Sequence, residues 1–430
     1  MLDTAVTLIR ALGAGSPRIA RVLPTILDPM QVAEKIASAE RREVRRRQVR
    51  RRRLTAVGVL TVLGAAAIVG IVRLAVGSAS AITLTPVASA APVSPFRAPL
   101  PEEIRGVHVT MDLASIPGRI GAYLALKRDG LNTLELDVKD ESGTVGFVQG
   151  APAIAVHDGA ARPFYDPATV AREARKAGVY LIGRVVTFED PITSAAHPNL
   201  AVHTNTGALW HTNGGLGWLN PYSRAAWKYD VDVGVAAAKA GFDEIQFDYV
   251  RFPSDGNLSL IRYPGAHPQP MNQTITAFLR YAASRLHPLG VRVSADVFGL
   301  AATHDLGIGQ FPAKIGKIVD TIYPMTYPSH YTAGEFNLPD PNAAPAATVA
   351  DSLSDFRAKL AGDQATLVPW LQDFSLGRTY TPADVAAQIG AARSFHTGGF
   401  LLWNAGGIYA TQELRAGSPP PLPSLAVPTL

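Results

Sequence analysis

The sequence predicts an α/β chain folded as a (β/α)8 barrel, the TIM-barrel architecture, preceded by a single N-terminal transmembrane helix. Three observations lead there. Between residues 102 and 416, eight short apolar runs of strand character alternate with seven helix-like segments. Those segments carry helix punctuation: Asp166-Pro167 and Thr381-Pro382 put proline at a first helical position, and Gly130, Gly178, Gly241 and Gly290 stand where helices end. Upstream, residues 54–72 run for nineteen positions without a charge, close to the roughly 20 that cross a bilayer.

The 430 residues divide by composition. Residues 1–53 form a cytoplasmic N-terminal segment, which ends in the arginine run 41–53, with nine arginines and one glutamate. Residues 54–76 are the transmembrane helix. Arginines precede it and almost none follow, so the N-terminus is expected inside and the remainder outside a cell membrane. Residues 77–101, rich in Ala, Ser and Pro, read as a linker, and 417–430 as a proline-rich tail. The net charge of +5 misleads, because the arginine run contributes +8 and residues 101–430 sum to −5. A mildly acidic main domain argues against nucleic acid as a partner. With no cysteine there is no disulfide, thiolate nucleophile or cysteine metal site.

Within the barrel region, strands are expected at 106–110, 133–139, 180–188, 244–252, 291–298, 321–327, 366–374 and 399–404, and helices at 115–128, 167–177, 223–240, 272–286, 312–318, 346–360 and 382–393, with a possible last helix near 411–416. The fourth strand has the clearest period of two, with Ile245, Phe247 and Tyr249 on one side and Glu244, Gln246 and Asp248 on the other. An open doubly wound sheet would carry a glycine-rich loop after its first strand. Here that place holds His108-Val109-Thr110-Met111-Asp112.

Barrel sites lie at the C-terminal ends of the strands, and the polar residues cluster there. Asp137 and Lys139 come from strand two, Arg184 from strand three, and Gln246, Asp248 and Arg251 from strand four. Asp296 comes from strand five, Tyr327 from strand six, Trp370 and Gln372 from strand seven, and Trp403 from strand eight. Asp248 and Asp296 end neighbouring strands, about 4.8 Å apart. Two such carboxyl groups are what glycosidic hydrolysis needs, one as nucleophile or base and one as proton donor. The long connection 189–222 adds Trp210, Trp218, His211, Asn213 and Asn220. Flat aromatics beside amides suit sugar rings, though such a loop can equally pack its own tryptophans. A cation held by Asp137, Asp248 and Asp296 is a weaker option, and no metal or cofactor is assigned. His108 reads as a satisfied core histidine.

The stretches RGVHVT (105–110), LNTLELDVKDESG (131–143), WLNPYSR (218–224), GFDEIQFDYVRFPSDG (241–256), VSADVFG (293–299) and IYPMTYPSHY (322–331) resemble the bacterial putative glycosyl hydrolase domain family, over most of residues 103–410. The resemblance implies a glycoside-hydrolase-like TIM barrel and a carbohydrate substrate. It points to Asp248 as the acidic centre, by analogy with barrel glycosidases that use a strand-four Asp. Many such enzymes place a Glu as proton donor where this chain has Asp296.

The sequence therefore reads as a membrane-anchored glycoside hydrolase, its barrel outside the membrane, acting on a cell-surface or extracellular polysaccharide. Asp248 serves as nucleophile or base and Asp296 as proton donor. Asp137, Lys139 and Arg184 tune the charge. Trp218, Gln246, Tyr327, Trp370, Gln372 and Trp403 contact the sugar, and Arg251 anchors the strand-four loop beside it. The alternative is a non-catalytic carbohydrate-binding or envelope-scaffold barrel.

Overall fold

Eight parallel strands follow one another around a closed ring in the computed structural model, which describes residues 96–267 and 269–415. They are β1 (Ile104–Val109), β2 (Thr133–Lys139), β3 (Tyr180–Val186), β4 (Glu244–Asp248), β5 (Arg292–Phe298), β6 (Thr321–Met325), β7 (Trp370–Gln372) and β8 (Gly399–Trp403). Each pairs with the next, β8 pairs with β1, and Trp370 bridges to Met325 to join β7 to β6. Short extended residues Thr366–Leu367 run beside β6 just before β7. Pro369, which has no N–H to give, separates the two pieces of what the sequence reads as one strand. The described residues belong to one compact unit, Ala91–Leu430.

Ten α-helices lie between the strands among the described residues; three short ones, Met111–Ser115, Ala153–His157 and Pro191–Ala196, accompany one helix in each of the seven connections: α1 (Arg119–Ala125), α2 (Pro167–Ala177), α3 (Arg224–Ala240), α4 (Met271–Leu286), α5 (Pro312–Ile315), α6 (Pro345–Lys359) and α7 (Pro382–Ser394). Three starts among α1–α7 carry side-chain caps. Asp166 and Ser223 accept backbone N–H groups of the first turns of α2 and α3, and Thr381 with Asp384 forms a reciprocal capping box on α7. After α3 the chain turns through Gly241 at φ 119°, which a side chain would strain. The segment expected as a helix at 115–128 is divided by Pro117 and Gly118, and the one near 411–416 is a single 3-10 turn, Thr411–Leu414.

The period of two in the strands sorts the core. Leu134, Leu136, Leu181, Val185, Ile245, Phe247, Val293 and Val297 point outward and bury against the helices in one large apolar layer, each such side chain contributing roughly 1.5–3 kcal/mol. Ile104, Tyr180, Ile182, Tyr323, Val368, Trp370 and Leu401 point inward and fill the barrel. Deep inside, Glu244 accepts hydrogen bonds from the hydroxyls of Tyr180 and Tyr323, both at 2.9 Å. The inward faces of the strands are polar toward the other end of the barrel, where the site lies.

Two local irregularities change what the strand pattern implies. A bulge between Asp137 and Lys139 sets two residues of β2 against one of β3, and it turns Lys139 out of the barrel toward α3. There its ammonium lies 2.8 Å from Asp190 and 2.7 Å from Asp230, all three buried. β4 ends at Asp248 because Tyr249 adopts a left-handed backbone, φ 48°. Tyr249 therefore leaves the outer face that alternation assigns to it. No helix among the described residues is long and apolar enough to cross a membrane. The expected span 54–76, like the arginine run and the tail, lies outside the described residues.

Candidate active site

A cavity of about 600 Å3 opens at the C-terminal ends of the strands. Asp248, Asp296, Arg184, Arg251, Tyr327, Trp370 and Trp403 line it, together with Glu141, Tyr249, Phe298, His330 and Tyr331. Asp248 is the last residue of β4. Its Oδ2 accepts from Nε and Nη2 of Arg184, at 2.9 and 2.6 Å, and its Oδ1 accepts from the amide of Tyr249 at 2.7 Å. Arg184, buried on β3, also donates to Asp137 at 2.7 Å and to Glu141 at 2.5 Å. One fixed cation thus holds three carboxylates, the arrangement in which a guanidinium's planar fork is most effective.

Asp296, on the neighbouring strand, has a different environment. It is 2% exposed, and among the described residues its carboxyl has one hydrogen bond, the 2.9 Å donation from the indole Nε1 of Trp370 to Oδ1. Burial pushes its carboxyl well above the usual carboxylate range, and the negative charges of Asp248 and Glu135 add to that. With Oδ1 occupied by the indole, Oδ2 is the atom left to carry the proton. Two carboxyl groups near the ends of adjacent strands, one clamped by a guanidinium and one whose burial favours the protonated form, are environments of the kind that separate an acid from its partner.

Below them His108 donates or accepts through Nδ1 at a very short contact with Glu135, and its Nε2 stands 3.7 Å from Asp137. Its ring stacks on Trp403, centroids 4.1 Å apart. Burial opposes a charge on His108, but the carboxylates of Glu135 and Asp137 outweigh it and raise its pKa. Trp403 also faces the Arg184 guanidinium at 5.2 Å and meets Trp370 edge-on at 5.6 Å.

The family model described as "Putative glycosyl hydrolase domain" matches residues 106–409. The chain belongs to that family. No curated protein matches the sequence. Among solved structures, a hypothetical protein from Ruminiclostridium thermocellum is 34% identical over 44% of this chain and 97% of its own, TM-score 0.41. The PgaB (BpsB) glycoside hydrolase domain from Bordetella bronchiseptica is 15% identical over 70% of this chain and 94% of its own, TM-score 0.49. The catalytic domain of a β-amylase from Paenibacillus polymyxa is 13% identical over 73% and 96%, TM-score 0.46.

In this member of the family several residues expected to touch a sugar lie elsewhere. Lys139 faces α3 because of the β2 bulge. Trp218 is fully buried, tilted against Tyr249 with Arg251 over its ring, so its connection packs its own tryptophan. Trp210 likewise is buried and donates Nε1 to the carbonyl of Asn257. Gln246 shares the inward face of Asp248 but sits two residues deeper, fully covered, its amide without a protein partner. Gln372 is spent on backbone, accepting from Ser329 N and donating to Phe374 O. Asp137 reaches the cavity only through Arg184.

Four lining residues escape sequence reasoning in instructive ways. Glu141 follows β2 in a loop that strand periodicity does not address. Tyr249 is hidden by its turn at positive φ. Tyr331 and His330 lie beyond the expected end of β6. Gly299 carries a signal of its own, because a Cβ there would stand 2.1 Å from the Tyr331 hydroxyl and 2.6 Å from the Met325 carbonyl. For a cation, ligand atoms of His108, Glu135 and Asp137 lie within 4.8 Å of one another, but Arg184 already neutralises Asp137. The same guanidinium fills the place between Asp137 and Asp248 where a metal bridging those two would sit.

Proposed function

We propose that the barrel hydrolyses a glycosidic bond of a cell-surface or extracellular polysaccharide by a two-carboxylate mechanism. The observation that carries the reading is the unequal pair Asp248 and Asp296: the first is clamped by Arg184, while the second is buried with a hydrogen bond from the Trp370 indole, and burial pushes its carboxyl above the usual carboxylate range. Asp296 donates a proton from Oδ2 to the departing glycosidic oxygen. Asp248 acts on the opposite charge that develops at the sugar carbon, as nucleophile or as base for water. Arg184, fixed in turn by Asp137 and Glu141, orients Asp248. Trp370, Trp403 and Tyr327 offer ring faces and a hydroxyl to the sugar.

The reading extends to location. A span at 54–76 behind the arginine run 41–53 would anchor the barrel outside a cell membrane. The test of the activity is release of new reducing ends from a panel of bacterial envelope and exopolysaccharides, with Asp248→Asn alongside. Release by the wild type alone supports the reading. Equal release by both removes Asp248 from the mechanism. Binding to a polymer with no release from any would leave a carbohydrate-binding barrel.

A further inference from the structure

The cavity holds a second guanidinium, and it differs from the first. Arg184 reaches carboxylates on every side, whereas Arg251 makes no ion pair among the described residues. Among the described residues its side chain makes one hydrogen bond, from Nη1 to the carbonyl of Phe252 at 3.3 Å. Its charged carbon instead stands 5.0 Å from the Trp218 ring, 4.8 Å from Tyr249 and 4.8 Å from Phe298. It is 7% exposed, and what it exposes lines the cavity.

Ring faces attract a cation but replace its lost hydration only in part. Burial accordingly lowers the Arg251 pKa, with Tyr249, Asp248, Glu189 and Asp255 favouring the charge from beyond ion-pair range. The cage itself is bought with backbone strain. Tyr249 is the residue at φ 48° directly after Asp248, and that turn brings its ring beside Arg251 and not onto the outer face. The same turn fixes Arg251 three residues from Asp248. The result is a largely desolvated cation beside the proposed reacting groups, with no carboxylate paired to it among the described residues.

We propose that the sugar bound in this cavity carries a carboxylate and that Arg251 receives it. This rests on the reading that the cavity takes a glycan. A guanidinium matches a planar carboxylate with two parallel hydrogen bonds. A dianionic phosphate monoester fits less well, because Asp248 and Glu141 already bring negative charge to the same cavity and share Arg184; a phosphodiester carries the same single charge as a carboxylate, and the experiment separates the two. The carboxylate could belong to a uronic acid ring or to the lactyl ether of muramic acid. The chemistry Arg251 sees is the same.

The test uses the full chain carrying Asp296→Asn, which retains the polymer and keeps the indole's acceptor. Affinities are measured by calorimetry for polygalacturonate, hyaluronan and amidase-stripped peptidoglycan strands, each against its carboxyl-reduced form, and for a wall teichoic acid. At least one carboxylated polymer is expected to bind tenfold or more tightly than its reduced form. Preference for the uronates assigns a ring carboxylate, and preference for the peptidoglycan strands assigns the lactyl group. In Arg251→Met, whose unbranched side chain fills the aromatic cage, the ratio should fall to within twofold, and Arg251→Lys should lie between. Reduced and native polymers binding alike, no binding to any carboxylated polymer, a ratio that survives Arg251→Met, or preference for teichoic acid would each overturn the proposal. Selective binding without any cleavage by the wild type would instead sink the hydrolase reading and leave this one standing.

Discussion

At the scale of single residues, the account turns on what holds the proton of Asp296. Burial raises its pKa, and the Trp370 indole works against that by donating to Oδ1, a bond that favours the ionised form. An acid that must be protonated loses activity as pH rises through its pKa. Because that pKa lies above the ordinary carboxylate range, the alkaline fall of kcat/KM belongs well above the acid region. Trp370→Phe keeps a ring in place and removes the donor, so the carboxyl becomes still harder to ionise. The alkaline limb of the pH–rate profile should move to higher pH in this variant, and an unchanged or lowered limb would show that Asp296 is not the titrating acid.

At the scale of elements, the strands' own irregularities decide who meets whom. The bulge in β2 sends Lys139 outward, where it lies between Asp190 and Asp230, and Asp190 also caps the helix Pro191–Ala196 by accepting from Thr193 N. Removing the cation leaves two buried carboxylates facing one another. Lys139→Met is therefore expected to cost about 3–5 kcal/mol of stability, read as a shift in the midpoint of chemical denaturation. A change under 1 kcal/mol would contradict the structural role. This is also where the sequence stops being informative. The period of two separated Ile245 and Phe247 from Asp248 on opposite sides of the fourth strand, as the structure has them, because alternation is a property of extended backbone. A one-residue bulge and a left-handed turn at Tyr249 leave no mark on composition, so Lys139 and Tyr249 each point away from the face that alternation assigns. Trp218 shows a different gap: an aromatic in a long loop looks the same in sequence whether it meets a sugar or, as here, supports an arginine.

At the scale of the whole molecule, the eight-strand alternation was readable because apolar strand runs and helix-like segments alternate, and because some helix ends are marked in the sequence, by side-chain caps at Asp166, Ser223 and Thr381 and by left-handed glycines at Gly178 and Gly241. The charge was readable too. The acidic barrel and the arginine run are separate features of one chain, and only the run makes the protein basic. If 54–76 spans the membrane, full-length protein should pellet with membranes and resist extraction by carbonate, while a fragment beginning at residue 91, the boundary of the compact unit, should be recovered in solution. Full-length protein released by carbonate would remove the anchor from the account without touching the site.

The most direct measurement of the central claim compares Asp248→Asn and Asp296→Asn on a cleaved polysaccharide and on aryl glycosides of the same sugar. The account predicts that Asp248→Asn lowers kcat/KM by about 1000-fold or more on every substrate. It predicts that Asp296→Asn loses about 100- to 10,000-fold on the polymer but much less when the leaving group is a nitrophenolate that departs without a proton. Wild-type rates in Asp248→Asn, or an Asp296→Asn defect that ignores the leaving group, would contradict it.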